Sequence, residues 1–217
     1  MTIQLATLTL DEIIDKLQVA CSRTAESVGM MHAIVQKPGH TESSIGTAYC
    51  VNKYGFFVTA QHVVAGQISS FISMDRIYET RIVAVDMTND LALMQVVDHH
   101  GLFEPVVFAA GVTDGEIVGG LGYPDRGLSF ELCSYLARYA GPVINGVGPN
   151  GLILEGHILQ SALSFAGGEA HTQGYSGGPI VNEKGEVVAS TIGGDDDLGF
   201  IVGPSASNIR ALVEAHL

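Results

Sequence analysis

Three short segments of this 217-residue chain carry side chains able to do nucleophilic chemistry. In Phe57-Val58-Thr59-Ala60-Gln61-His62-Val63-Val64 an apolar run ends on a histidine. In Thr88-Asn89-Asp90-Leu91-Ala92-Leu93-Met94 an aspartate leads into an apolar strand-like run, and in Thr172-Gln173-Gly174-Tyr175-Ser176-Gly177-Gly178-Pro179 a serine sits in a glycine-rich turn. A serine hydroxyl is a weak nucleophile until an imidazole takes its proton, and the imidazole needs a carboxylate to fix its tautomer and stabilise its cation. Gly174 adds backbone freedom, so that the N–H groups of Gly174 and Ser176 can be aimed at the oxyanion forming on an attacked carbonyl. Each feature alone is commonplace: a hydrogen-bonded histidine, a turn-forming aspartate, a glycine turn. Their joint occurrence in the order His62, Asp90, Ser176 singles them out.

The elements that must position these residues are mostly strands. One amphipathic helix is expected over Thr9–Val28, where Thr9 and Glu12 have capping-box spacing, Leu10, Ile13, Ile14, Leu17, Cys21 and Ala25 follow helical periodicity, and Gly29 is placed to end it. Short apolar runs between turn residues then predict strands at His32–Gln36, Gly46–Val51, Phe56–Ala60, Ser69–Met74, Tyr78–Val85 and Leu91–Val97. After a break near His99-His100-Gly101 they resume at Val106–Phe108, Glu116–Leu121, Glu131–Tyr139, Leu152–Leu163, Gly178–Val181, Val187–Ile192 and Phe200–Val202. Pro204 with Ser205 or Ser207 opens a short terminal helix with Ile209, Leu212 and Val213 on one face. Thirteen closely spaced strands with almost no helix between them predict an all-β protein. The break near residues 99–104 divides them into two small antiparallel barrels.

Composition narrows the function. Hydrophobic residues make up 47%, enough for a sizeable core, and 27 glycines with 7 prolines and no Trp suit a turn-rich β fold. Ten Lys and Arg against 23 Asp and Glu give a net charge of −13, which disfavours nucleic acid and anionic membranes as partners. The start, Met1-Thr2-Ile3-Gln4-Leu5, has no signal-peptide character, and no run approaches the roughly 18 apolar residues of a membrane span. Cys21, Cys50 and Cys133 are odd in number and widely spaced, which predicts buried thiols rather than disulfides or a metal cluster, in a cytoplasmic setting.

The chain resembles a trypsin-fold (chymotrypsin-like) serine peptidase, and among these the bacterial HtrA-type proteases. The resemblance rests on Val58-Thr59-Ala60-Gln61-His62-Val63-Val64, Asn89-Asp90-Leu91-Ala92-Leu93 and Gly174-Tyr175-Ser176-Gly177-Gly178-Pro179-Ile180-Val181-Asn182. Weaker echoes are Gly46-Thr47-Ala48, Leu121-Gly122-Tyr123-Pro124 and Gly199-Phe200-Ile201-Val202-Gly203-Pro204. It implies two six-stranded barrels with the site in the cleft between them, spanning a first barrel at 30–98 and a second at 105–203 between the terminal helices. It also implies a serine endopeptidase acting on polypeptides, with His62 as general base, Asp90 as orienting carboxylate and Ser176 as nucleophile, and with no metal or cofactor. Asp86 competes for the carboxylate role, but the family pattern places that residue directly before Leu-Ala-Leu, which selects Asp90.

Some positions depart from the pattern. The family's usual anchor segment and PDZ domain are not recognisable here, which sets its chaperone and stress roles aside. Tyr175 stands where secreted trypsins carry the aspartate that pairs with a newly cut N-terminus, so activation by N-terminal insertion is not expected. Val63 follows His62 directly, so the histidine-loop disulfide of animal trypsins is absent. By resemblance the specificity pocket draws on Ala170, His171, Thr172, on Ser190, Thr191, Ile192 and on Gly193-Gly194. A neutral base near Ala170 suits an apolar side chain, the neighbouring Asp195-Asp196-Asp197 would suit a basic one, and His171 with Thr172 an acidic one.

Two other functional readings are open to the sequence. Gly174-Tyr175-Ser176-Gly177-Gly178 also fits the elbow of α/β-hydrolases, with Asp196 and His216 completing the order Ser, Asp, His, but that elbow needs a helix directly after the serine. Alternatively the fold persists as a catalytically silent binding module. Gly119-Gly120-Leu121-Gly122 lacks the lysine and spacing of a phosphate loop, and His99-His100, adjacent in an extended chain, point apart. The N-terminal helix is expected to pack on a barrel, with oligomerisation or partner docking as its further use.

Overall fold

A computed structural model describes residues 9–65, 68–73, 76–97, 103–124, 131–143, 158–165, 173–195, 197 and 199–217. The chain opens with helix α1 (Leu10–Thr24), whose Thr9 side chain accepts the Glu12 N–H while the Glu12 carboxylate receives the Thr9 N–H, the capping box expected from their spacing. The helix ends sooner than Gly29. A 3-10 turn (Ala25–Ser27) follows and Val28 already begins strand β1 (Val28–Lys37). Gly29 serves packing instead: a Cβ there would sit against the Phe71 ring and 2.8 Å from the Ile72 carbonyl.

β1 and β2 (His40–Asn52) form a long hairpin in register from Val28↔Tyr49 to Lys37↔His40, turning through Pro38-Gly39 with Gly39 at φ 85°. The outer half of β2 is polar and exposed, so periodicity marks that strand only from Gly46 onward. With β3 (Phe56–Ala60), β4 (Ile68–Ser73), β5 (Arg76–Asp86) and β6 (Leu91–Val96) this hairpin closes a six-stranded barrel in the order β1-β2-β3-β6-β5-β4. Phe57, Phe71 and Tyr78 fill it, and Phe103 from the connecting segment plugs it edge-on, 5.1 Å from Phe57 and 5.4 Å from Phe71 between ring centroids.

The second unit contains β7 (Val107–Phe108), β8 (Ile117–Gly122), β9 (Cys133–Pro142), β10 (Ile158–Phe165), β11 (Pro179–Val181), β12 (Glu186–Ser190), β13 (Gly193–Asp195) and β14 (Phe200–Gly203). Their order is β13-β14-β10-β9-β8-β11-β12-β7. The six central strands form a ring, because an Ala189↔Ser205 bridge and the Ser190 N–H donated to the Pro204 carbonyl (3.1 Å) join β12 to the end of β14. β7 adds to one side of that ring and β13 to the other, so the sheet counts eight strands where six are expected.

Helix α2 (Ala206–Glu214), capped by Ser205, buries Ile209, Leu212 and Val213. Those three side chains join Tyr49, Val58, Leu91 and Leu93 of the first barrel and Leu121, Val181 and Val187 of the second in one cluster. The two barrels therefore share a core. Helix α1 lies on β8, where Cys21 Sγ and Leu17 occupy the room that side chains at Gly119 would need. No described helix is long and apolar enough to cross a membrane.

Candidate active site

The register of two strands brings the histidine and the aspartate together. β3 pairs with β6 so that Ala60 opposes Leu91; the residues just after Ala60 and just before Leu91 must meet at the same barrel end. There the chain leaves β3 in a 3-10 turn (Gln61–Val63), and the Gln61 N–H donates to the Asp90 carbonyl at 3.0 Å. Asp90 holds His62 with both carboxylate oxygens: Oδ1 receives the His62 N–H at 2.9 Å, and Oδ2 lies 2.5 Å from Nδ1. An ionised carboxylate only accepts, so the ring proton sits on Nδ1 and Nε2 is left as a base. The Asp90 side chain is 10% exposed while that of His62 is 43% exposed, a sheltered anion behind an accessible imidazole.

Asp86, the competing carboxylate, is a turn former. It accepts from the Thr88 N–H (3.0 Å), the Asn89 N–H (3.1 Å) and Asn89 Nδ2 (2.6 Å). Asn89 is gripped from the other side by Asn208 Nδ2 of α2 at 2.7 Å. Between these anchors Asp90 takes φ 52°, left-handed backbone that aspartate tolerates better than most residues.

Ser176 lies in the turn before β11, flanked by Gly174 at φ 90° and Gly177 at φ 86°. The turn is stitched to both barrels. The Ser176 carbonyl receives the Thr47 N–H from β2 (2.8 Å), and the Gly177 N–H donates to the Thr191 carbonyl after β12 (2.6 Å). Gly177 packs so closely on the first barrel that a Cβ would lie 2.7 Å from the Ala60 nitrogen, two residues before His62. Gly46 is small for the same reason: a Cβ there would lie 2.8 Å from the Ser176 carbonyl and 2.6 Å from Val63. The serine turn is thus seated on the barrel end that presents His62. Ser176 Oγ donates to the Ile192 carbonyl at 3.5 Å, and among the described residues no hydrogen bond joins it to the imidazole.

The carbonyls of this turn are all engaged: Gly174 by Thr47 Oγ1 (2.8 Å), Tyr175 by the Gly178 N–H (2.8 Å) and Ser176 by the Thr47 N–H. Among the described residues the N–H groups of Gly174 and Ser176 have no backbone acceptor. Tyr175, between them, is buried with its ring edge-on to Tyr135 at 5.2 Å.

A model of the trypsin-like peptidase domain family matches residues 46–189 of this sequence. The chain belongs to that family. Magnetosome formation protease MamE of Paramagnetospirillum magneticum is 34% identical over 154 residues, 67% of this chain and 19% of that protein. The probable serine protease do-like of Buchnera aphidicola is 29% identical over 169 residues, 73% of this chain and 33% of that protein. The chain spans between 19% and 34% of the length of the curated relatives it matches. Among solved structures, the active form of the Rv3671c protease from M. tuberculosis superposes with a TM-score of 0.76 over 91% of this chain and 83% of that one, at 23% identity, a likeness of fold.

Other sequence expectations for this peptidase domain meet different fates. Ala170, His171, Thr172, Asp196, His99 and His100 lie outside the described residues. Ser190 and Thr191 are fully buried, and their hydroxyls bond the Tyr49 and Tyr135 hydroxyls at 2.7 Å each. Their side chains are committed to the core. Ile192 is likewise buried, and Gly193, Gly194 and Asp195 form β13. The hydrolase elbow is ruled out, because strand β11, not a helix, follows Ser176, while His216 Nδ1 is bonded to the Leu212 carbonyl at the chain end. Gly120 and Gly122 make room for the Tyr135 and Tyr175 rings in β8 and cradle no phosphate.

Burial pushes the Cys21 thiol up to about 11 and the Cys50 thiol to about 12, which makes both inert at neutral pH; Cys133 is half-buried and free. Among the described residues no three His, Cys, Asp or Glu side chains converge as a metal site would require. Sequence reasoning assigned no role to Thr47, Tyr49, Tyr135 or Asn208. The signal for Thr47 was its place directly after Gly46; the tyrosines look like ordinary core residues from periodicity alone.

Proposed function

We propose that this domain is a serine endopeptidase working through His62, Asp90 and Ser176. The observation that carries the reading is the two-point grip of Asp90 on His62, on the same barrel end that seats the Ser176 turn. In this mechanism the Ser176 hydroxyl exchanges the Ile192 carbonyl for His62 Nε2. Oγ attacks the scissile carbonyl as Nε2 takes its proton, and the N–H groups of Gly174 and Ser176 hold the oxyanion. Asp90 stabilises the imidazolium, which returns the proton to the leaving amine as the C–N bond breaks and an acyl-serine remains. Water, deprotonated by His62, then releases the carboxylate product and restores Ser176.

The substrate class is polypeptide, in keeping with relatives named as proteases. The reading as a silent binding module gains no support from relatives that are named as proteases. The three free cysteines favour a reducing, cytoplasmic compartment. Hydrolysis of an unfolded polypeptide by wild type, Ser176→Ala and His62→Ala tests the proposal. Each substitution is expected to lower turnover by on the order of 10³-fold or more; wild-type rates in either variant overturn it.

A further inference from the structure

We infer that Thr47 is a positioning residue that sets the oxyanion-binding turn; this rests on the serine-peptidase reading above. Thr47 is fully buried in β2, and its hydrogen bonds reach both residues that flank Tyr175 in the serine turn. Its N–H holds the Ser176 carbonyl at 2.8 Å, its Oγ1 donates to the Gly174 carbonyl at 2.8 Å, and its own carbonyl receives the Thr59 hydroxyl at 2.7 Å. The Tyr123 N–H donates to the same Oγ1 at 3.0 Å. A hydroxyl has one proton, and with the Tyr123 N–H occupying an acceptor position, that proton is directed at Gly174.

The consequence lies in the Gly174–Tyr175 peptide, which sits between the two peptides that carry the N–H groups assigned to the oxyanion, so its orientation sets the angle between them. One side chain and one backbone group of the same residue pin the carbonyls on either side of Tyr175. Gly174 has no side chain to restrict it and stands at φ 90°, so nothing in its own chemistry selects the orientation of the peptide that follows. The Thr47 hydroxyl supplies that selection from the other barrel, 127 residues away in sequence. Thr47 touches neither the reacting atoms nor His62 in this scheme; it acts through Gly174.

The test compares Thr47→Val, Thr47→Ser and Thr59→Val with wild type in kcat, KM, thermal midpoint and rate of Ser176 modification by a fluorophosphonate. Thr59→Val is the structural control: it is buried like Thr47, packs against Gly177 of the same turn, and loses a hydroxyl bonded to the Thr47 carbonyl rather than to the turn. Thr47→Val is expected to lower kcat and the modification rate by about 10- to 100-fold with KM within about threefold, since a misplaced oxyanion donor acts on the transition state. Thr47→Ser keeps the hydroxyl and restores kcat to within about threefold, and Thr59→Val stays within about threefold of wild type. Thr47→Ala, whose cavity admits a water to the Gly174 carbonyl, falls between Ser and Val and serves if the valine variant does not fold. Wild-type kcat in Thr47→Val or Thr47→Ala, a loss that serine does not restore, or an equal loss in Thr59→Val overturns the inference. Absence of any adduct on wild-type Ser176 instead overturns the serine-peptidase reading, and the role of Thr47 with it.

Discussion

The buried hydrogen bond between Tyr49 and Ser190 spans the seam between the barrels, and its removal should reveal how tightly they are coupled. The two hydroxyls lie 2.7 Å apart, one on β2 and one on β12, and neither residue is exposed to solvent. Burial pushes the Tyr49 phenol up from its ordinary value, so it remains a protonated donor across the working pH range. Tyr49→Phe removes one hydroxyl and strands the other away from water, which costs about 1–3 kcal/mol. Ser190→Ala should cost a similar amount by stranding the phenol. The double variant leaves neither group unsatisfied, so its loss should fall short of the sum by about 1 kcal/mol or more. For a domain of this size each 1 kcal/mol lowers the thermal midpoint by about 2–4 °C. Equilibrium urea unfolding of the four proteins at constant pH measures the cycle. Strict additivity, to within about 0.3 kcal/mol, would show that the two hydroxyls are independently satisfied and refute the reasoning.

Three further outcomes follow from the geometry. Asp90→Asn should lower kcat by on the order of 10³- to 10⁴-fold while the fold persists, because an amide no longer fixes the Nδ1–H tautomer. Asp86→Asn should cost about 1 kcal/mol of stability through the Met87–Asn89 turn and leave kcat nearly unchanged; steady-state kinetics with urea unfolding separates the two, and equal kinetic losses would contradict the assignment. Thiol labelling of the native protein at pH 8 should modify Cys133 and spare Cys21 and Cys50, whose raised values keep them protonated until pH nears about 11 to 12. Mass mapping that finds Cys50 modified first would contradict its burial.

The sequence made the chemistry legible because each catalytic candidate sits beside a strand whose apolar run is unmistakable. Phe57–Ala60 and Leu91–Met94 declare themselves as buried strands, and their adjacent His62 and Asp90 are then fixed by register. What was not legible depends on contacts between distant segments. Gly29 looks like a helix terminator until the Phe71 ring is seen against it. The outer half of β2, residues 40–44, is polar on both faces and gives no period-2 signal. Ser190 and Thr191 look like pocket-lining polar residues, and only the Tyr49 and Tyr135 hydroxyls, 141 and 56 residues away, explain why they are buried. β13 is Gly-Gly-Asp, a composition that marks a turn, and it becomes a strand only because β14 pairs with it.

The central claim is an activated serine at position 176. Incubation of wild type and Ser176→Ala with a fluorophosphonate, followed by intact mass and peptide mapping, tests it directly. One adduct on wild type, mapped to Ser176 and absent from the alanine variant, is the result expected. An unmodified wild-type protein, or an adduct that persists in Ser176→Ala, would contradict it.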